Sequence, residues 1–242
     1  MWLTGFQHRL LRPELMDQPT LDESRHVQAL HGLRRINYLS GCVGTLWPTI
    51  REAARDVSQA TSGRPLRVLD VATGGGDVPI GLWHGARRAG FNIEIEGCDC
   101  SPVAVKHAQR QARAQFAPVR FFQADILCGP IAETYDVVMC SLFLHHLAED
   151  EAVQVLRTMA QAARHQVLVS DLRRSRLGWW LAWVGTRMVT MSPVVHFDGP
   201  VSVAAAFTCA ELSNLADRAG LQGGRVDCRW PSRMFFTWRK PT

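Results

Sequence analysis

The stretch that decides the fold lies at residues 68–77 and reads Val68-Leu69-Asp70-Val71-Ala72-Thr73-Gly74-Gly75-Gly76-Asp77. An apolar run leads into three consecutive glycines, which predicts a buried strand, a tight turn and then a helix. Glycines at such a turn let a ligand approach the backbone closely, and N–H groups at the start of the helix can face it. The stretch therefore predicts an α/β fold with a nucleotide-like ligand at a strand end, rather than a glycine-rich turn closing a sheet edge.

Strand and helix patterns alternate from residue 66 onward. Short runs rich in Val, Ile and Phe, typical of buried parallel strands, occur at residues 66–71, 93–98, 119–123, 135–140 and 166–170. Helical patterns separate them, and Ser101-Pro102 is a typical helix start. Residues 224–230 and 234–238 predict an antiparallel hairpin. We therefore expect a seven-stranded, mostly parallel sheet with an antiparallel last strand and helices on both faces.

We expect residues 1–242 to form one domain with four parts. Apolar residues at three- and four-residue intervals between Asp22 and Val57 predict a helical N-terminal cover over residues 1–60, broken near Gly41. The core covers residues 64–171, and residues 172–207 form a lid inserted after the fifth strand. Residues 208–242 form a helix and the hairpin. That helix begins with a capping box of Thr208 and Glu211 and stops at Gly220.

Composition and charge exclude several classes of protein. With 47% hydrophobic and 20% charged residues among 242, the chain can bury a substantial core, and nothing indicates disorder. The net charge is +5, but the arginines occur as scattered pairs and not as the stripe of a nucleic-acid-binding surface. The first nine residues lack the apolar stretch of a secretory signal, so we expect a cytoplasmic protein. The most apolar run, residues 177–185, is too short to span a bilayer but could contact a membrane surface.

The cysteines indicate neither a disulfide framework nor a zinc site. Their number is odd and no C-x-x-C pair occurs. We expect most of the seven to be small buried hydrophobic residues; they are Cys42, Cys98, Cys100, Cys128, Cys140, Cys209 and Cys228.

The spacing of the glycines separates two classes of nucleotide site. A dinucleotide site has G-x-G-x-x-G, and counting from Gly74 puts Pro79 at the third glycine position, which disfavours NAD. The stretch instead resembles the first motif of class I S-adenosylmethionine-dependent methyltransferases, an acidic residue followed by G-x-G-x-G. Ala72 replaces the first glycine, and D-V-A-x-G-x-G-D is similar to the string in quinone-ring methyltransferases of ubiquinone and menaquinone synthesis. The resemblance implies a Rossmann-like fold and S-adenosylmethionine as the cofactor.

The resemblance covers residues 64–171 and implies cofactor contacts at the strand ends. Asp99 would accept hydrogen bonds from the ribose hydroxyls and Asp125 from the adenine amino group. Cys100 and Ile126 would pack against the ring. Either aspartate alone could be a helix cap or a loop acid. The expected cofactor-binding residues are Asp70, Ala72, Gly74, Gly75, Gly76, Asp99, Cys100, Asp125, Ile126 and Cys140.

His145 and His146 are the candidate catalytic residues. The string of residues 144–151 resembles that of plant-type small-molecule O-methyltransferases, in which the first histidine is the base. An imidazole can take a proton from a phenol as its oxygen attacks, an effect worth about 10²- to 10⁴-fold. The alternative is a pair that caps and packs the following helix. No N-P-P-Y-like string of base-modifying enzymes occurs here, and of the fourth and fifth strands only the fifth ends in a carboxylate, Asp171, so we expect no metal.

The substrate-binding residues are expected in and before the lid. Arg173 could hold a polar end of the substrate or belong to a solvated basic turn. Trp179, Trp183 and Met188 could cover an apolar substrate or pack against the N-terminal helices. The strings Pro13-Glu14-Leu15-Met16-Asp17 and Asp171-Leu172-Arg173-Arg174-Ser175 also look like methyltransferases that accompany polyketide synthases making phenolic lipids, which implies secondary metabolism.

Together these patterns predict a methyltransferase that acts on the hydroxyl of a small lipophilic, phenolic or polyketide-type molecule. One alternative is C-methylation of a quinone-type ring, in keeping with Ala72. Another is a protein that binds the cofactor without catalysis. An RNA methyltransferase is disfavoured, because no added RNA-binding module or basic stripe is present. The expected partner is a small molecule and no nucleic acid.

Overall fold

The computed structural model describes residue 6 and residues 8–18, 20–61 and 63–241. Its centre is a sheet of seven strands, which are β1 Leu66–Val71, β2 Ile93–Asp99, β3 Arg120–Gln123, β4 Tyr135–Ser141, β5 Ala163–Leu172, β6 Arg225–Arg229 and β7 Arg233–Arg239. Their order in the sheet is β3-β2-β1-β4-β5-β7-β6. Strands β1 to β5 are parallel and β7 is antiparallel to both of its neighbours. The expected mostly parallel sheet is confirmed.

Helices cover both faces of the sheet, and each face buries its own apolar layer. The helices are α1 Glu23–Leu39, α2 Cys42–Ala60, α3 Asp77–Arg88, α4 Pro102–Ala114, α5 Glu149–Ala162, α6 Arg176–Val189, α7 Pro193–Ala205 and α8 Cys209–Arg218. One layer includes Leu46 and Ile50 of α2 against Val68 of β1. The other includes Leu156 of α5 against Val138 of β4.

Local capping signals define several helix ends as expected. The Ser101 hydroxyl accepts from the Ala104 N–H at the start of α4. Thr208 and Glu211 form the capping box of α8. Gly41 separates α1 from α2 with φ at 67°, a left-handed conformation in which glycine is least strained.

The N-terminal cover is only partly helical, which corrects the expectation for residues 1–60. Among the described residues, helix begins at Glu23, and residues 8–18 form an irregular segment that runs along α7. The Leu10 N–H donates to Ala204 O, and the N–H groups of Leu15 and Met16 donate to the Asp198 carboxylate. Residues 1–5, on which the expectation about a secretory signal partly rests, lie outside the described residues.

The cysteines differ from expectation, because Cys209 of α8 and Cys228 of β6 form a disulfide. Cys42, Cys98 and Cys140 are buried thiols, whereas Cys100 and Cys128 are exposed. Sequence spacing missed this pair, which the chain brings together by laying α8 next to β6. The lid consists of α6 and α7, and no helix in the described part of the chain is long and apolar enough to cross a membrane.

Candidate functional site

A cavity of about 1040 Å³ lies at the carboxyl ends of the parallel strands. This edge is where ligands bind in open α/β sheets, because helix N-termini and loops converge there. The loops after β1, β2, β3 and β4 form its floor, while α1, α6 and α7 form its cover. The cavity is large enough for a nucleotide-sized cofactor and a small acceptor side by side.

The glycine turn after β1 forms one wall of the cavity. Gly74 adopts φ of 55°, and open space lies where a Cβ would point. Its N–H donates to Asp99 Oδ2 over 2.8 Å, which ties the turn to the end of β2. Gly76 is needed for packing instead, because a Cβ there would lie 2.7 Å from the Phe121 ring. Ala72 has φ of 53°, a strained conformation for a residue with a side chain.

Seven of the expected cofactor-binding residues lie together on the cavity wall, namely Ala72, Gly74, Gly75, Asp99, Cys100, Asp125 and Ile126. Asp99 accepts the N–H groups of Gly74 and Ser101, and burial raises the pKa of its carboxyl. Asp125 accepts the Leu127 N–H in an exposed loop. Each carboxylate oxygen has two lone pairs, so both residues can accept further hydrogen bonds.

Asp70, Gly76 and Cys140 do not line the cavity. Asp70 lies beneath the glycine turn, where Oδ2 accepts the Thr73 hydroxyl and Oδ1 is buried with no hydrogen-bond partner among the described residues. Burial raises the pKa of Asp70 to about 8. The Cys140 thiol is completely buried in the core between β4 and its helices. Leu142, with φ of 55°, and Phe143 line the cavity at this strand end instead.

His145 lies on the cavity wall and pairs with Asp171 of the neighbouring strand. Its Nδ1 is 2.6 Å from Asp171 Oδ1, and its backbone N–H donates to Oδ2 over 3.2 Å. Burial acts to raise the pKa of Asp171, but the charge of His145 and the hydrogen bond from it lower that pKa overall. Because an ionised carboxylate only accepts, Nδ1 donates its proton to Asp171, and Nε2 is the ring atom on the other side, 3.7 Å from Glu14 Oε1.

His146 lies beside His145 and binds two carboxylates of the N-terminal segment. Its Nδ1 is 2.8 Å from Asp17 Oδ2, and its Nε2 is 3.9 Å from Glu14 Oε1. Desolvation opposes the charged imidazolium, yet the hydrogen bond to Asp17 and the charge of Glu14 raise the pKa of His146 to about 9. His146 is therefore protonated at neutral pH and has no lone pair to accept a proton.

Glu14, His145 and His146 each present one ligand-type atom, all within 4.8 Å of one another. This trio has the residue types of a transition-metal site. However, a metal ligand must be a neutral imidazole, whereas His146 is held as an imidazolium by two carboxylates. The Ser202 hydroxyl also donates to Glu14 Oε1. Proton binding at His146, whose pKa is raised, therefore competes with any cation at this cluster.

The expected substrate-binding residues lie apart from the cavity. Arg173, Trp179, Trp183 and Met188 are not among its lining residues, and Trp183 and Met188 are exposed on α6. The other face of α6 lines the cavity with Gly178, Ala182 and Gly185. The remaining cover is mostly apolar and includes Leu30, Leu33, Ile36, Val189, Val195 and Val203.

The sequence did not indicate which carboxylates contact the two histidines. The structure shows that they are Glu14, Asp17 and Asp171. Asp171 lies near the end of β5, the strand next to β4, so adjacency of parallel strand ends could have indicated its contact with His145. Glu14 and Asp17 reach the site through a segment without periodic pattern. The two strings quoted for the polyketide-type resemblance therefore meet at the histidine pair.

Comparison with known proteins confirms the resemblance to S-adenosylmethionine-dependent methyltransferases. Residues 68–166 match the family model of the methyltransferase domain. A demethylmenaquinone methyltransferase of Thermus thermophilus is 33% identical over 122 residues, which are 49% of this chain and 54% of that protein. The chain thus spans about half the length of this curated relative.

Solved structures of methyltransferases share the fold. Human N-acetylserotonin methyltransferase in complex with S-adenosylmethionine has a TM-score of 0.64 and 17% identity, over 91% of this chain and 57% of that one. Magnesium protoporphyrin IX methyltransferase of Synechocystis with bound S-adenosylhomocysteine has a TM-score of 0.54 and 17% identity, over 81% and 83%. The expected Rossmann-like fold is confirmed.

Proposed function

We propose that this chain is an S-adenosylmethionine-dependent methyltransferase that methylates a hydroxyl of a small lipophilic, phenolic or polyketide-type molecule. The observation that carries the proposal is the buried pair of Asp171 and His145 on the cavity wall, in which Asp171 holds Nδ1 while Nε2 lies 3.7 Å from Glu14 Oε1. A buried base oriented by a carboxylate is suited to taking a proton from an acceptor hydroxyl. We also propose that the methylated product belongs to secondary metabolism.

The cavity wall fits the cofactor. Gly74 offers open space beside a left-handed turn, and Asp99 offers a carboxylate that can accept ribose hydroxyls. Ile126 is an apolar surface for a flat ring. When bound, S-adenosylmethionine supplies a methyl group on a sulfonium centre.

In the reaction, the acceptor hydroxyl donates its hydrogen bond to His145 Nε2. As the oxygen takes the methyl group, the proton passes to Nε2, and the ionised Asp171 stabilises the imidazolium that forms. The apolar cover from α1, α6 and α7 excludes water and holds a lipophilic acceptor in line. His146 stays protonated and helps to hold the N-terminal segment over the site.

C-methylation of a quinone-type ring is the second candidate, since the Thermus thermophilus relative is a demethylmenaquinone methyltransferase. The same base would then remove the proton from the ring carbon or its hydroxyl. A protein that only binds the cofactor is the remaining alternative. It predicts cofactor affinity with no turnover on any acceptor.

The test has two steps. Thermal melts should show that S-adenosylhomocysteine raises Tm, because a ligand of the folded state stabilises it by mass action, whereas NAD should not. Methyl transfer to a set of alkylated phenols and quinols should then yield methyl ethers, identified by mass spectrometry and NMR. Ring-methylated products would favour the second candidate, and stabilisation by NAD alone would overturn the assignment of the glycine turn.

A further inference from the structure

Helix α6 has one face that lines the cavity and another that is exposed to solvent. Gly178, Ala182 and Gly185 recur at helical spacing and line the cavity. Leu177, Trp180 and Val184 recur at helical spacing on the outer face, with exposed fractions of 53%, 58% and 40%. Large apolar side chains grouped in this way are unusual on a soluble surface and indicate an interaction site.

The apolar surface continues beyond α6 around the cavity. Met188 at the end of the helix is 80% exposed and shares a second cleft with Tyr38 and Leu39 of α1. Trp230, in the turn between β6 and β7, is 88% exposed and lines the cavity. Exposed apolar side chains therefore lie next to the cavity that would receive a lipophilic acceptor.

The charged residues of the segment that contains α6 are all of one sign. Residues 172–197 contain four arginines and no acidic residue. Arg174 is buried against Glu211, but Arg187 is exposed and stacks its guanidinium 4.4 Å from the Trp183 ring centroid. Arg34 and Arg35 are exposed beside the second cleft. Tryptophan side chains partition into the interface of a bilayer, and neighbouring arginines attract its anionic lipids, so this surface is suited to binding such a bilayer.

We propose that the outer face of α6, together with Trp230, docks on the surface of an anionic phospholipid bilayer. The helix lies flat, its outer side chains enter the interface and the arginines bind lipid phosphates. The cavity then opens toward the membrane, from which an apolar molecule can enter without crossing water. The lipophilic acceptor rests on the proposed function, whereas the docking itself rests on the surface alone.

A second copy of the chain is the competing occupant of this face. In a twofold dimer the same patch would meet itself, so each copy would bring its arginines toward those of the other with no acidic residue from residues 172–197 between them. Such like-charge contacts oppose association, whereas an anionic lipid surface is complementary to the patch. The charge pattern therefore favours the bilayer.

The experiment is sedimentation of the full chain with vesicles of phosphatidylglycerol and phosphatidylcholine, and with phosphatidylcholine alone. We expect binding to the anionic vesicles that weakens as salt is added. The double variant Leu177→Asp/Trp180→Asp should lower the partition coefficient by about tenfold or more, and Arg187→Gln by about fivefold. Ser58→Asp/Gln59→Asp is the charge-matched control, because both residues are exposed near the end of α2, which leads into the start of β1 at the opposite end of the strands from the cavity, and it should bind like the wild type.

Quenching of tryptophan emission by brominated acyl chains gives a readout on the wild-type chain that does not depend on folding of a variant. Absence of sedimentation and quenching with anionic vesicles would overturn the proposal. So would equal binding by the double variant, or a dimer in vesicle-free solution that the double variant abolishes. Vesicle binding without any methyl transfer would instead contradict the proposed function and still support the docking surface.

Discussion

His145 Nδ1 lies 2.6 Å from Asp171 Oδ1, and both side chains are buried. The two residues are 26 positions apart, and Asp171 lies near the end of β5 whereas His145 lies in the turn after the neighbouring parallel strand β4, so the pairing joins a strand end to a turn at the carboxyl edge of the sheet. Two further contacts hold the carboxylate, the N–H groups of His145 and Leu172. A carboxylate held in this way fixes both the tautomer and the direction of the imidazole.

Replacing His145 by Ala should lower turnover by about 10²- to 10⁴-fold with little change in cofactor affinity, because the acceptor loses its base. The deficit should shrink at high pH, where a phenol ionises without help. Rate-against-pH curves beside melting temperatures test this. A folded His145→Ala protein with near-normal turnover at neutral pH would contradict the proposed role of His145 as the base.

Two variants serve as comparisons in the same assay. Asp171→Asn should also lower turnover, by about tenfold or more, because an amide can favour the wrong tautomer of His145. His146→Ala removes the neighbouring ring that is already protonated and should cost less turnover than His145→Ala. The reverse order of the two histidine variants would make His146 the base.

The ion pair of His146 and Asp17 should make stability depend on pH. The pKa of His146 rises to about 9 in the folded chain, so its contribution is complete below about pH 6.5 and is lost as the pH rises through about 9. His146→Gln should therefore lower Tm by about 2–8 °C below pH 6.5 and hardly at all above pH 9. Asp17→Asn removes the same pair and should behave alike. A Tm difference that stays constant across this range would contradict the assignment.

Asp99→Ala should weaken S-adenosylhomocysteine binding by about tenfold or more, because charge-assisted hydrogen bonds to the ribose contribute about 1.5–3 kcal/mol each. Calorimetric titration measures the change. Glu94→Ala, an exposed acid on the same strand, is the matched control and should bind normally. Unchanged affinity in a folded Asp99→Ala protein would mean that the ribose lies elsewhere.

Chelation by EDTA should leave methyl transfer unchanged. The raised pKa of His146 keeps a proton on its imidazole that competes with a cation at the trio of Glu14, His145 and His146. Activity is compared before and after dialysis against EDTA. Loss of activity that magnesium or zinc restores would contradict this prediction and favour a metal-dependent mechanism.

Glu211→Gln should destabilise the fold by about 2 kcal/mol, because it leaves the buried Arg174 guanidinium without its charged partner. The two side chains form paired hydrogen bonds of 2.6 and 2.9 Å, and only 2% of the Arg174 side chain is exposed. Asp150→Asn is the control, because its partner Arg218 is solvent-exposed, and it should cost about 0.5 kcal/mol or less. Equal losses in urea unfolding would argue against a special role for the buried pair.

The strands, the glycine turn and the caps at Ser101 and Thr208 could be predicted from sequence, because each depends on residues a few positions apart. Apolar periodicity marks a strand or a helix face, a short polar side chain caps its own helix, and consecutive glycines mark a turn with little steric restriction. The grouping of Asp99 and Asp125 at one edge also follows from order alone, because parallel strands end on the same side. These features do not depend on how distant parts of the chain pack against each other.

The partners of the histidines required the tertiary structure. Asp171 reaches His145 because β5 lies next to β4, and Glu14 and Asp17 reach the site because an irregular segment is tied to α7 by Asp198. Contacts between residues far apart in sequence depend on sheet order and chain path, which no local pattern encodes. The same reason explains α6, where helical periodicity predicted an apolar helix, but only packing against α1 and α7 decided that its glycines face the cavity and that Trp180 and Trp183 face outward.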